Sequence, residues 1–139
     1  MVDAERVGVR LDRLEHLLEG LEKARAGGED VYLADEDLRA MTERRLQLAI
    51  QVCIDIGTQL VSELSAPPPA DYAGVFTALA QAGELDRDLA GRLAAAARQR
   101  NLLVHLYLDL DDHEVFASLS RLDDLRAFAS VAQRLAEAG

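Results

Sequence analysis

The run LRAMTERRLQLAIQVCIDIGTQLVSEL, residues 38–64, carries two apolar stripes at helical spacing. One stripe consists of Met41, Leu48, Val52, Ile56 and Leu60, and the other of Leu46, Ile50, Cys53, Val61 and Leu64. A helix that is apolar on two sides lies at the centre of a bundle or at a subunit interface, and both can hold. Asp35 is placed to cap it. This helix decides the fold, because other helices must cover it.

The flanking segments predict those other helices. Alternating steps of three and four between apolar residues predict an amphipathic helix over residues 3–26, which Gly27 and Gly28 end. Prolines 67–69 exclude a helix and form a connector. Asp71 then caps a short helix that ends at Gly83, residues 85–97 form another, and the last begins near Asp111 with capping-box spacing to Glu114. We therefore predict an all-α, antiparallel bundle of about five helices, a single domain over residues 1–139.

Composition narrows the class of protein. Half of the 139 residues are hydrophobic but only 4% are aromatic, which is typical of a core built from Leu, Ala, Val and Ile. The formal net charge of −10 disfavours non-specific nucleic-acid binding, so no DNA partner is expected and RNA contact requires a local basic cluster. The acidic N-terminus, the absence of a membrane-length apolar run and the single Cys53 predict a cytoplasmic protein with no membrane association.

The segment Arg100-Asn101-Leu102-Leu103-Val104-His105-Leu106-Tyr107 is the candidate site. A lone histidine in an apolar run is most often a hydrogen-bonded core residue. Arginine is also the default cation here, since Lys23 is the only lysine. The combination of Arg, His and Tyr at this spacing is nevertheless rare by chance, which makes a functional role worth testing.

These residue types suit metal-independent cleavage of RNA. His105 has an ordinary pKa near neutrality and can move protons, while the Arg100 guanidinium can bind phosphate oxygens through two parallel hydrogen bonds. Asn101 can orient the substrate or cap the helix end. The substrate's own 2′-hydroxyl is then the nucleophile, so no cofactor is expected. The sequence also has no glycine-rich phosphate loop and no metal-ligand spacing: His16 and His113 stand alone, and helix capping explains the aspartates at 109, 111 and 112.

Helical geometry limits how Arg100 and His105 can act on the same phosphate. At about 100° per residue, His105 lies about 140° around an ideal helix from Arg100, whereas Tyr107 nearly eclipses Arg100. One continuous helix therefore does not bring Arg100 and His105 together on one phosphate. Either the helix breaks near Asn101, or two subunits pair their segments across a cleft, and we expect the second, a homodimer.

At these residues the chain resembles the HEPN superfamily and, within it, the HepT-like toxins of type VII toxin–antitoxin systems. The family motif Arg-x4-His-x-Tyr, with Asn after the Arg, is complete here as Arg100, Asn101, His105 and Tyr107. The long helix and the Ala-rich approach to the motif extend the resemblance over about residues 5–137. One departure is Gln99, where members often have Phe.

The resemblance implies a homodimeric endoribonuclease toxin with its motif in a cleft between protomers. Arg100 and His105 would be catalytic and Asn101 supporting, with Arg92 and Arg98 as candidate RNA-binding residues. It also implies a minimal nucleotidyltransferase antitoxin of the MntA kind as partner, which can transfer AMP to the motif tyrosine, here Tyr107. A bulky anion beside a phosphate-binding arginine would block RNA.

Two other readings remain open. The chain can be a non-catalytic HEPN interaction module that binds a nucleotidyltransferase, since an acidic surface suits a basic protein better than RNA. It can also be a plain helical bundle in which the motif is structural.

Overall fold

The structure, a computed structural model, describes residues 2–138 apart from the side chain of Tyr107, and is all-helical over that range. The helices are α1 (Ala4–Ala26), α2 (Glu29–Ala34), α3 (Glu36–Glu63), α4 (Tyr72–Gln81), α5 (Arg87–His105), α6 (Asp112–Ser118) and α7 (Leu122–Ala138). Two 3₁₀ turns, Tyr107–Asp109 and Leu119–Arg121, flank α6. The predicted all-α bundle is confirmed.

Helix α3 is the central element, and it packs against α1, α4, α5 and α7. Most of the second apolar stripe is buried, with Leu46, Ile50, Cys53 and Val61 in the core. The first stripe divides: Ile56 and Leu60 are buried, whereas Met41 is 47% exposed. The prediction of a central helix is confirmed, and part of its apolar surface near the N-terminal end remains uncovered in the protomer.

Aspartate side chains start the helices where the sequence predicts them. Asp35 accepts a hydrogen bond from the Leu38 amide at 3.0 Å, and Asp71 accepts one from the Gly74 amide at 2.8 Å. At the end of α1, Gly28 takes a φ of +90°, a conformation that glycine adopts at low cost. Burial raises the pKa of the Cys53 thiol to about 12, in agreement with its predicted structural role.

The structure differs from the sequence prediction in three of its helices. The short helix α2 was not predicted, and α5 continues eight residues beyond residue 97 to His105. The predicted last helix is interrupted after Ser118. There the Ser118 and Ser120 hydroxyls donate to the carbonyls of Val115 and Ala117, local bonds of the kind that compete with a continuous helix.

Across residues 2–138, none of the helices combines the length and the hydropathy that a bilayer crossing requires.

A close contact between α3 and α4 depends on Gly57 of α3. A Cβ atom at this position would lie 2.5 Å from Cγ1 of the buried Val75 on α4. Gly8 on α1 is also helical, but a Cβ there would meet nothing within 4 Å. The two glycines therefore form a matched pair for substitution by alanine. The gain in helix propensity is the same at both positions, but the added methyl group crowds a neighbour only at Gly57.

We expect Gly57→Ala to destabilise the fold, because overpacking costs about 1–3 kcal/mol and outweighs the gain of about 1 kcal/mol in helix propensity. Gly8→Ala should instead be neutral or stabilising. Urea unfolding of both variants at one protein concentration measures the difference. Equal stability of the two variants would show that α3 and α4 do not pack this closely.

Candidate functional site

Helix α5 carries the candidate site, and a capped start and a buried face hold it in position. Asp86 caps it by accepting a hydrogen bond from the Leu89 amide at 3.0 Å. One face of α5 is buried against α3 and α4, with Leu93, Ala97 and Leu103 in the core. The helix ends at His105, because Leu106 leaves helical geometry with φ −120° and ψ 36°. Residues 100–105 thus belong to one continuous helix.

Arg100 is held by its neighbours. Its guanidinium carbon lies 5.3 Å from the centre of the Tyr72 ring, and its Nη1 donates to Asn101 Oδ1 at 3.1 Å. Its Nε is buried and has no hydrogen-bond partner within the described residues. No described carboxylate lies within 4 Å of the guanidinium, so its charge is not neutralised by an ion pair. A buried donor without a partner costs about 1–3 kcal/mol, which a bound anion would recover.

Tyr72 is the site residue that the sequence reasoning missed. It is the first residue of α4, and α4 and α5 form an antiparallel hairpin joined by residues 82–86. This arrangement places the start of α4 beside the second half of α5. The signal available in the sequence was an aromatic residue directly after the Asp71 cap, but its partner depends on the hairpin geometry. Tyr72 provides a planar surface over which the guanidinium can stack.

His105 is the last residue of α5 and is exposed. It lies five residues after Arg100 on an unbroken helix, about 140° around the axis and about 7.5 Å along it. The break near Asn101, one of the two arrangements predicted to bring Arg and His together, is therefore wrong. Within one protomer the two side chains leave the helix in different directions.

Helix α5 ends two residues before Tyr107, which begins the first 3₁₀ turn, so the ideal-helix relation between Tyr107 and Arg100 does not apply. Its side chain lies outside the described residues. Apolar residues around His105 are exposed: Leu102 and Leu106 are each 48% exposed, and Leu108 is 84% exposed. The motif is therefore bordered by an uncovered apolar surface, a feature that marks interaction sites on proteins.

The two arginines of α5 that are candidate RNA-binding residues, Arg92 and Arg98, differ in environment. Arg92 Nε lies 2.9 Å from Asp124 Oδ1 of α7, so its charge is offset although the side chain is 51% exposed. Arg98 is exposed and has no ion pair with a described residue. Asn101 is also exposed and contacts Arg100 as described above. The structure thus keeps Arg98, Arg100 and Asn101 near one end of α5, and ties Arg92 to α7.

Contacts between α2 and α6 hold the segment that follows the motif. Tyr32 is fully buried, and its ring centre lies 5.3 Å from that of Phe116. Burial, and then the nearby carboxylates of Glu43 and Asp112, raise the pKa of the Tyr32 hydroxyl. Burial likewise raises the pKa of the Glu43 carboxyl, followed by the effect of Asp112. Burial and the neighbouring carboxylates thus disfavour the charged form of each group relative to water.

Helix capping, the role that the sequence predicts for the aspartates at 109, 111 and 112, is confirmed for Asp111. Asp111 caps α6 by accepting a hydrogen bond from the His113 amide, and Asp112 pairs with Arg39 at 3.5 Å. His113 Nδ1 lies 2.7 Å from Glu29 Oε1 of α2. No cluster of three or more His, Cys, Asp or Glu suited to a metal ion occurs within residues 2–138.

Comparison with known proteins places the chain in one family. The family model described as ribonuclease HepT-like matches residues 14–132. A curated relative, the tRNA nuclease HepT of Aphanizomenon flos-aquae, is 32% identical over 114 residues, which cover 82% of this chain and 78% of the relative.

Solved structures share the fold. A tri-AMPylated HEPN toxin of Shewanella oneidensis, solved in complex with an MNT antitoxin, superimposes with a TM-score of 0.86 at 22% identity. The match covers 96% of this chain and 99% of that one. The cytosolic protein YutE of Bacillus subtilis, whose function is unknown, superimposes with a TM-score of 0.81 at 19% identity, covering 99% and 92%. At these identities the likeness concerns the fold.

The contact between His113 and Glu29 predicts a pH dependence. The hydrogen bond to Glu29 raises the pKa of His113 above its ordinary value of about 6.5, so the contact stabilises the fold fully below that value and is lost as pH rises through the higher, folded-state pKa. We expect an NMR titration to give a raised pKa for His113 and a lower one in Glu29→Gln. Glu15→Gln, an exposed substitution on α1, should leave the titration unchanged. An unchanged pKa of His113 in Glu29→Gln would refute the contact.

Proposed function

Because this chain belongs to the HepT-like ribonuclease family, we propose that it is an endoribonuclease toxin that cleaves RNA without a metal ion. Arg100 and His105 are its catalytic residues and Asn101 supports Arg100. The observation that carries the proposal is the state of Arg100. Its guanidinium is stacked on Tyr72 and bonded to Asn101, but it has no described carboxylate partner and keeps a buried Nε donor free.

The chemistry follows from these two side chains. A 2′-hydroxyl of the RNA attacks the adjacent phosphorus, the bond to the 5′-oxygen breaks, and a cyclic phosphate forms. His105 is exposed and carries the proton that must leave the nucleophile or reach the leaving oxygen. Arg100 binds the phosphate oxygens, whose negative charge increases in the transition state. Its stacking on Tyr72 limits the reorientation needed when the phosphate arrives.

The site requires two protomers. Since α5 is continuous from residue 100 to residue 105, one protomer cannot bring both side chains to one phosphate. The exposed Leu102, Leu106 and Leu108 beside His105, with Met41 on α3, supply apolar surface of the kind that a homodimer buries. Each cleft then pairs Arg100 of one protomer with His105 of its partner.

The proposed regulator is an MNT-type nucleotidyltransferase antitoxin, the partner seen with the Shewanella oneidensis toxin. Its action is transfer of AMP from ATP to the hydroxyl of Tyr107, with release of pyrophosphate. Tyr107 lies two residues after the end of α5, so a phosphate attached there lies close to the motif in the chain. The added negative charge would compete with RNA for Arg100.

The net charge of −10 favours a second candidate, a non-catalytic module that only binds the nucleotidyltransferase. In that case the uncovered apolar surface around His105 serves the partner alone. The candidates differ in one respect that can be measured, namely whether the purified chain cleaves RNA.

We expect His105→Ala to lower the rate of RNA cleavage by about 10²–10⁴-fold, the usual contribution of a proton-transferring side chain. Arg100→Lys should lower it as well, because the charge remains while the two-pronged contact with phosphate is lost. Cleavage of a labelled RNA by purified dimers measures both effects.

The matched controls are His16→Ala and Arg134→Lys, which change exposed residues of α1 and α7. Both should retain full activity, and circular dichroism should show an unchanged fold in all four variants. A wild-type chain without cleavage activity supports the binding module instead. Full activity of Arg100→Lys would rule out the phosphate role of Arg100.

A further inference from the structure

A cavity of about 290 Å³ opens between α3, α5 and the start of α7, on a different side of α5 from Arg100. Its floor is formed by the buried apolar residues Leu46, Ile50, Leu122 and Leu125, and the more exposed Ala95 and Ala96 lie at its wall. Its rim is polar, formed chiefly by Arg92, Gln99, Arg121 and Asp124. The volume is close to the lower end of the range of about 300–1,000 Å³ for small-molecule sites, which suits a group the size of one nucleoside.

The cavity is adjacent to the motif but separate from it. Gln99 immediately precedes Arg100, yet successive side chains on a helix diverge by about 100°. Arg100 therefore faces Tyr72 on α4, whereas Gln99 faces the cavity beside α7. Arg92 lies about 12 Å from Arg100 along the axis of α5. RNA bound at Arg100 thus passes close to this cavity.

The two arginines at the rim have different electrostatic states. The ion pair with Asp124, at 2.9 Å, fixes the Arg92 guanidinium and offsets its charge. Arg121 is exposed and has no carboxylate within 4 Å among the described residues. One positive charge at the rim is therefore uncompensated, although the chain as a whole is strongly acidic.

We propose that this cavity binds one unstacked nucleotide of the RNA substrate, next to the phosphate that Arg100 holds. The base lies on the apolar floor and against the fixed Arg92 plane, since guanidinium groups stack on bases. Gln99 offers both a donor and an acceptor to the base edge, and Arg121 binds the nucleotide's phosphate. The proposal rests on the proposed ribonuclease function and makes these rim residues determinants of substrate selection.

Binding is tested on dimers that carry His105→Ala, which prevents cleavage, with a fluorescent oligoribonucleotide and anisotropy. Arg121→Gln should weaken binding several-fold and lower the salt slope by about 0.7, the value for one lost contact to a single-strand phosphate. The control Arg134→Gln removes the same charge from an exposed position on α7. Ala95→Leu fills the cavity without changing charge and should also weaken binding.

Cleavage kinetics separate this subsite from the catalytic site. In otherwise wild-type dimers, Arg121→Gln should raise KM for an oligoribonucleotide and leave kcat nearly unchanged. It should not affect a dinucleotide that offers only the scissile phosphate. His105→Ala should abolish cleavage of both substrates.

The outcomes are distinguishable. If Arg121→Gln and Arg134→Gln weaken binding equally, the effect is diffuse charge and the subsite is wrong. If Arg121→Gln and Ala95→Leu both leave RNA binding unchanged, the cavity does not bind RNA and is free for a protein partner. The subsite proposal is then wrong, while the ribonuclease proposal stands. If the wild-type chain neither binds nor cleaves RNA, both proposals fail.

Discussion

The fold depends on the burial of α3 against four other helices. Residues of both of its apolar stripes are buried, and Gly57 allows close packing against Val75 of α4. Because α4 and α5 form a hairpin on this central helix, fixing α4 also fixes Tyr72 beside Arg100. The packing of the core thus determines the orientation of the guanidinium that we assign to phosphate binding, although neither Gly57 nor Val75 belongs to the site.

The side chain of Arg100 is held in place by its neighbours, yet one of its buried hydrogen-bond donors has no described partner. A stacked ring and the adjacent amide oxygen hold the side chain, but the structure gives its charge no described carboxylate partner and its Nε no acceptor. Arg126 differs, because it pairs with Glu22 at 2.8 Å and its charge is therefore offset. Arg98 and Arg121 also lack an ion pair with a described residue, so the feature that supports a binding role for Arg100 is its buried Nε without a described partner.

Local signals made much of the fold predictable. Apolar periodicity identified α1 and α3, and single aspartates correctly marked the starts of α3, α4 and α6. The extension of α5 through His105 was not predicted, because Asn101 is compatible with either a helix interior or an end. The interruption after Ser118 depends on hydrogen bonds from serine hydroxyls to nearby carbonyls, which the spacing of apolar residues does not reveal. Spacing made Arg100 and His105 candidate site residues, and this remains a prediction, while the positions of Tyr72 and Arg121 and the pairing of Arg92 with Asp124 arise only when distant segments meet.

Continuity of α5 is the central constraint on function, since it separates Arg100 from His105 in one protomer and makes the proposed site a shared one. Mixed dimers of Arg100→Lys and His105→Ala protomers test this most directly. One of their two clefts then combines the unchanged Arg100 of one protomer with the unchanged His105 of its partner. The account predicts about half of the wild-type rate for each mixed dimer, and therefore up to about a quarter for an equal mixture after random exchange, although each variant alone is much slower than wild type. A mixture no more active than its components, with dimer exchange verified, would contradict the shared site.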